Sequence, residues 1–480
     1  MIRPRLIAAA LAAALSLPAL AVELPMPAPG PAKSVHIPAA ADHTLDNGLR
    51  VIVVHRAGLP LVTVNFVLRS GSEADPAALP GTASMAAGLL TQGTSSRSAP
   101  EIAQQAAALG GSIDVAAGWD ETDAGITVTT PKLGAALNLL ADVVRNPAFH
   151  DADIERVRKQ TLDGLRLAWS QPGSLASMVA RRAVFGASAY GHPASGTPTS
   201  VAAIQRDNLL ALHHTWYRPD NAILVFAGDI STDAALALAK KTFGDWAKPA
   251  TALPTVAVEK AESKVPAKLA IDLHGSGQAG VVVAKRAIAR SAPDYYAGVV
   301  ANMVLGGSYS ARMNEEIRIK RGLSYGARSS LGALRDDGWL TTSVQTKNPS
   351  AAEVVSLSLA QVESLSATPP TAAEITARKA TLIGGFGRSL DTTAGLAAQI
   401  GERAVNNVPL DEINQHIPRI EAITPKDVVA FAKAHLGPEG THVVVVGDAS
   451  QYGTALKKLW PKVTPVASTK LKLSRADLGL

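Results

Sequence analysis

The sequence predicts an α+β protein of two homologous domains, each an antiparallel sheet flanked by helices. Three observations lead there: strand patterns interleave with long helical ones, one strand-and-turn unit occurs in each half, and a stretch containing proline and alanine separates the copies.

The 480 residues suffice for two or three domains, each with its own core. Hydrophobic residues make up 47%, charged residues 18% and aromatics 4%, an Ala-rich balance that suits a folded chain and not a disordered one. Cysteine is absent, which excludes disulfides, thiolate metal sites and a cysteine nucleophile. Residues 1–21 carry Arg3 and Arg5, an apolar run from Leu6 to Leu17 and then Ala19-Leu20-Ala21, the pattern of a signal peptide cleaved after Ala21. The run is shorter than the roughly 20 residues that span a bilayer, so no membrane span is expected after cleavage. Loss of Arg3 and Arg5 takes the formal charge from +6 to +4 without leaving a dense basic block, and nucleic acid is not an expected partner.

Residues 22–41 are rich in proline and read as an extended lead-in, with an N-terminal domain over 42–247. HTLDNGLRVIVVHR turns at Asn47-Gly48 and then alternates, as does LVTVNFVLRSGS, and the two read as adjacent strands. Ser98-Ala-Pro-Glu101 is a capping box that starts a helix ending at Gly110-Gly111. Two alternating segments, GSIDVAA and DAGITVTT, follow, then helical stretches from Pro131 to Val144 and from Asp151 to Trp169. WYRPDNAILVFAGDIS (216–231) has its counterpart in HLGPEGTHVVVVGDAS (435–450): a helix ends, a turn follows, and an apolar strand closes on Gly-Asp. Residues 248–268 then read as the linker, 269–450 as the C-terminal domain and 451–480 as a tail.

Six segments, in order, resemble the pitrilysin/insulinase peptidases, more closely the bacterial branch in which two half-length subunits pair. They are HTLDNGLRVIVV, LPGTASMAAGLLTQGT, ALGGSIDVAAG, HHTWYRPDNAILVFAGD, MVLGGSYSARMNEEIRIKRGLSYGARS and IPRIEAITPKDVVAFAKAHLGPEGTHVVVVGD. The resemblance implies His-x-x-Glu-His on a helix before a Gly-Thr pair, with a further glutamate downstream: two histidines one turn apart and the distant carboxylate hold zinc, and the motif glutamate is the general base. Counted back from Gly93-Thr94, those positions are Ser84, Met85, Ala86, Ala87 and Gly88, and the distant one falls on Gly164, beside Asp163. The zinc ligands and the base are absent, so no metal is expected on this chain. His213 and His214 are adjacent, point in different directions on a helix, and read as structural or surface residues.

The second half keeps its part of the pattern. In LGGSYSARMNEEIRIKRGLSYG the resemblance assigns Arg318 and Tyr325 as donors to the substrate carbonyl or tetrahedral intermediate, and Gly306-Gly307 as a turn beside bound peptide. The same residues also suit a solvated charged helix face, a buried strand start and a helix-entry loop. The implied function is a non-catalytic, exported, periplasmic subunit, inactive as a peptidase by itself. Its two domains would form a clamshell, and it would pair as a heterodimer with a homologue that carries zinc and act on peptides, with hinging between domains to admit them. The alternative is a catalytically silent structural or peptide-binding protein of the same fold. An enzyme using Ser84 as nucleophile lacks a base nearby in sequence.

Overall fold

A computed structural model describes residues 36–258 and 263–480. The expected signal peptide, and all but the end of the expected lead-in, lie outside the described residues. From Ile37 to Leu480 the chain forms one compact unit.

The unit is organised by two six-stranded sheets. The first contains β1 (Ala41–Thr44), β2 (Arg50–His55), β3 (Leu61–Leu68), β4 (Asp114–Ala117), β5 (Thr122–Thr129) and β6 (Ala222–Gly228), in the order β1-β2-β6-β3-β5-β4. The second contains β7 (Lys268–Asp272), β8 (Ala279–Arg286), β9 (Ala327–Ala333), β10 (Gly338–Thr346), β11 (Thr441–Gly447) and β12 (Val466–Ala467), in the order β12-β7-β11-β8-β10-β9. Five of the six places therefore correspond, and the edge place is filled from before β2 in one half and from after β11 in the other.

Both sheets are mixed, which corrects the expectation of antiparallel sheets: β2 pairs parallel to β6, and β7 pairs parallel to β11 and β12. The repeated AILVFAG and THVVVVG runs are the reason. β6 is buried at every position and β11 at every position after Thr441, and such continuous apolar strands belong where both faces of a sheet are covered. β6 also separates β2 from β3, so the two alternating segments read as neighbours share a sheet without touching. Residues 451–480 are not a free tail. They supply β12 and bury Leu456, Trp460, Leu473 and Leu478.

The helices of eight residues or more are α1 (Thr82–Leu90), α2 (Ala99–Leu109), α3 (Leu133–Arg145), α4 (Asp151–Ser170), α5 (Pro172–Phe185), α6 (Arg206–Trp216) and α7 (Thr232–Phe243) in the first half. In the second they are α8 (Tyr295–Leu305), α9 (Ala351–Ala367), α10 (Ala372–Ser389), α11 (Thr393–Val405), α12 (Glu412–Ala422), α13 (Pro425–His435) and α14 (Ala449–Leu459). The Ser98–Glu101 box caps α2, with the Ser98 amide donating to Glu101 Oε2 at 2.7 Å. Among the described residues no helix is long and apolar enough to cross a membrane.

One face of each sheet is covered by helices of its own half, the other by helices of the opposite half. Val51 and Val53 of β2 join Val64 and Phe66 against α1, α3 and α7, while Ile52 and Val54 face Leu396, Ala397 and Ile400 of α11. Reciprocally, Leu175, Val179 and Ala183 of α5 lie on Val282 and Val444 of the second sheet. The exchanged helices carry related sequences, LASMVARRAV (175–184) and LAAQIGERAV (396–405), whose shared arginines, Arg182 and Arg403, are both buried.

Polar locks add to this exchange. Arg335, in the β9–β10 turn, reaches into the first half, donating to the Arg69 carbonyl at 3.1 Å and lying 3.3 Å from Glu73. Its backbone amide donates to Asp120, whose carboxylate also accepts from Tyr190. Hinging between the halves of this one chain would strip α5 and α11 from their sheets. The end of the lead-in is held at Ile37, which exchanges two hydrogen bonds with the Asn414 side chain on α12.

Candidate functional site

The positions matching the zinc motif lie on α1, which packs against α4 where the distant position falls. Asp75 fixes the start of α1, its carboxylate accepting from the Gly81 and Ala83 amides at 2.6 and 2.7 Å, and burial pushes that carboxyl up to about 7. Ser84 is half-buried, Ala87 is 2% exposed, and Gly88 and Gly164 are exposed with open space where a side chain would stand. Asp163, one residue from the distant position, is exposed and paired with Arg166. A hydroxyl, a methyl and two hydrogens cannot ligate zinc, so the residues present do not fit that ion.

Among the described residues, the other histidines and carboxylates do not replace the site. His213 is buried, lies 2.9 Å from the Val144 carbonyl and stacks on Tyr217 with ring centroids 4.5 Å apart, and burial depresses it to about 4. Asp272, His274 and Asp448 have potential ligand atoms within 4.8 Å of one another. Those carboxylates are already engaged at the start of α14: Asp448 accepts from the amide and hydroxyl of Ser450 and from Gln451, and Asp272 from the Ala449 amide.

In the second half, all four residues singled out from sequence line one cavity of about 250 Å³: Gly306, Gly307, Arg318 and Tyr325. After α8 the chain passes through the two glycines and a turn at Arg312–Asn314 into a π-helical stretch, Glu315–Lys320. Such wide turns are rare, and many of them lie at functional sites. Gly306 is required by close approach, since a Cβ there would stand 2.4 Å from the Ser329 amide nitrogen of β9. That contact, with the Ser329 amide donating to the Gly306 carbonyl at 3.1 Å, fastens the cavity wall to the sheet.

Arg318 lies over the Tyr309 ring at 4.9 Å, and no carboxylate pairs with it among the described residues. The cations near it in sequence are paired, Arg312 with Glu374 at 2.8 Å, Lys320 with Glu316, and Arg321 with Glu316 and Glu353. Tyr325 does not start a buried strand. It stands in the loop before β9, 90% exposed, with its phenol free to reach an outside group. The cavity also holds Ser308, Tyr309 and Arg328, which sequence reading passed over because nothing in their spacing marks them.

Two family descriptions match the chain, "Insulinase (Peptidase family M16)" over residues 50–197 and "Peptidase M16 inactive domain" over residues 203–382. The chain belongs to the insulinase, or M16, peptidase family. Its relatives include an uncharacterized zinc protease of Mycobacterium bovis, 28% identical over 426 residues, 86% of this chain and 97% of that one. An uncharacterized zinc protease of Mycobacterium leprae is 28% identical over 391 residues, 81% and 87% of the two chains. Among solved structures, a peptidase M16 inactive domain from Pseudomonas fluorescens matches with a TM-score of 0.79 and 26% identity, over 85% of this chain and 98% of that one. A protease from Helicobacter pylori shares the fold, with a TM-score of 0.79 at 20% identity over 86% and 100% of the two chains.

Proposed function

We propose that this M16 chain is the non-catalytic subunit of an exported, periplasmic, heterodimeric zinc metallopeptidase, contributing Arg318 and Tyr325 to a homologous partner's site. The observation that carries the reading is a contrast within the chain: the zinc-motif positions hold Ser84, Ala87, Gly88 and Gly164, whereas Arg318 and Tyr325 share a formed cavity.

The chain's own residues act as donors. As a peptide carbonyl is attacked, charge gathers on its oxygen, and the Arg318 guanidinium and the Tyr325 hydroxyl are suited to meet it there. Tyr309 holds the guanidinium by its ring face, which consumes none of its N–H groups and leaves them for the substrate. Zinc and the general base come from the partner. Because the halves of this chain interlock, a peptide enters between chains, not between domains.

The test mixes the purified mature chain with a zinc-motif homologue from the same organism and follows peptide cleavage and zinc content. Cleavage is expected only in the mixture, with Arg318→Ala lowering kcat about 10²–10³-fold and Tyr325→Phe less. An unaltered rate for both variants supports instead a structural or peptide-binding role, and zinc with cleavage in the chain alone sinks the proposal.

A further inference from the structure

The Arg318 cavity contains a second, unneutralised guanidinium. Arg328, at the second position of β9, lines the same space of about 250 Å³ and is exposed, with neither an ion pair nor a side-chain hydrogen bond among the described residues. Ser308, also in the lining, has a buried hydroxyl with no hydrogen-bond partner. Two phenols, Tyr309 and Tyr325, also line it, as do Asn314 and Ser329, whose side chains are already hydrogen-bonded within the wall.

One guanidinium and one phenol suffice to meet the charge on a single carbonyl oxygen, so the first role leaves Arg328 and Ser308 unused. Two like charges beside one small cavity repel each other, and the arrangement is relieved when an anion lies between them. The planar fork of arginine is matched by a carboxylate, which accepts two parallel N–H groups per guanidinium, and a hydroxyl can donate to the same oxygens. In a peptide the only such group is a side-chain carboxylate of Asp or Glu, or the C-terminal carboxylate.

We infer that this cavity recognises a peptide carboxylate, with Arg328 and Ser308 as the specificity-determining residues beside the Arg318 and Tyr325 pair. The inference rests on the proposed function for its substrate class, but it assigns a preference that the pair alone does not imply: acidic or C-terminal peptide segments over neutral ones. Arg328 lies ten residues after Arg318, on a different element, so the second cation is supplied by the sheet and not by the π-helical stretch.

The experiment is isothermal titration of the purified full chain with four short unstructured peptides, carrying Glu or Gln at one internal position and a free or amidated C-terminus. Removing both carboxylates is expected to weaken binding about tenfold or more, the loss typical of a charge-assisted contact. The single change that reproduces the loss names the source, side chain or terminus. Arg328→Ala should erase the difference between peptides, Arg328→Lys should keep part of it, and Ser308→Ala should reduce it. Equal affinity for all four peptides, no binding of the acidic peptides, or an undiminished preference in Arg328→Ala overturns the inference. Its failure is separable from that of the subunit reading. Cleavage in the mixture that needs Arg318 but ignores substrate carboxylates removes this inference alone, whereas carboxylate-dependent binding with no stimulation of the homologue removes the subunit reading alone.

Discussion

The claim that α5 of the first half seats on the second sheet is open to a direct test at Gly280. A Cβ placed on Gly280 of β8 would stand 2.7 Å from the Gly173 nitrogen and Cα and from the Pro172 carbonyl carbon, all backbone of α5. No rotamer change can relieve that clash, so the helix must lift. Overpacking of this kind costs about 1–3 kcal/mol, against about 0.4–1 kcal/mol gained by restricting the unfolded chain. Gly280→Ala should therefore destabilise by about 1–2 kcal/mol. Gly401 of α11, on the reciprocal contact, is the control. Its added Cβ would meet no backbone, only the Val67 methyl at 3.3 Å and the Asn65 amide nitrogen at 3.8 Å, and replacing a mid-helix glycine by alanine is worth up to about 1 kcal/mol. Gly401→Ala should be neutral or mildly stabilising. Urea unfolding of the full chain, followed by the fluorescence of its six tryptophans, should show a lower midpoint for Gly280→Ala only, at unchanged slope. Equal midpoints, or the reverse order, would refute the seating of α5 on β8.

Three further outcomes are expected. Ser84→His, Gly88→His and Gly164→Glu together should give a chain that takes up about one zinc, since two histidines one turn apart plus a distant carboxylate form the usual three-residue set and the glycine positions are open; zinc analysis showing none would place the motif elsewhere. Arg335→Ala removes the cation that serves Glu73 and Asp120, which are 4% and 2% exposed, and should cost about 3 kcal/mol, more at pH 9 than at pH 6; a melting temperature independent of this change would show that the halves do not depend on the lock. Burial raises Glu73 to about 8 and Asp75 and Glu121 to about 7, so the folded chain holds protons that the unfolded chain releases. Stability from these groups is full below the ordinary carboxylate range and is lost as pH rises through about 7 to 8, whereas the depressed His213 and His416 weaken the fold only below the ordinary histidine range, so the melting temperature should be lower at pH 9 than at pH 7; a higher value at pH 9 would contradict that sign.

The family and the two-domain α+β fold were legible because their signals are local. The Ser98–Glu101 box, the alternation in β2 and β3, and the paired Gly-Asp strand ends all lie within a few residues of what they specify. The direction of β2 against β6 was not legible, because parallel pairing is set by where a crossover of more than 150 residues returns, and no period records it. The related stretches of α5 and α11 were available in the sequence, but only contacts with the opposite sheets give them meaning. At the candidate site the resemblance to the family pointed to Arg318 and Tyr325, and the cavity holds both. Arg328 and Ser308 carry no spacing signal, and only the shared cavity shows them together.

The crosswise seating of α5 and α11 bears on how the protein is made. A ribosome that has finished the first 250 residues has produced a sheet whose Ile52, Val54, Ile223 and Val225 must wait for residues 396–413 before they leave water. Until then the nascent chain shows a broad oily surface, the kind that sticks to neighbours. Neither half covers both faces of its own sheet, so the two halves mature together once α11 has been made.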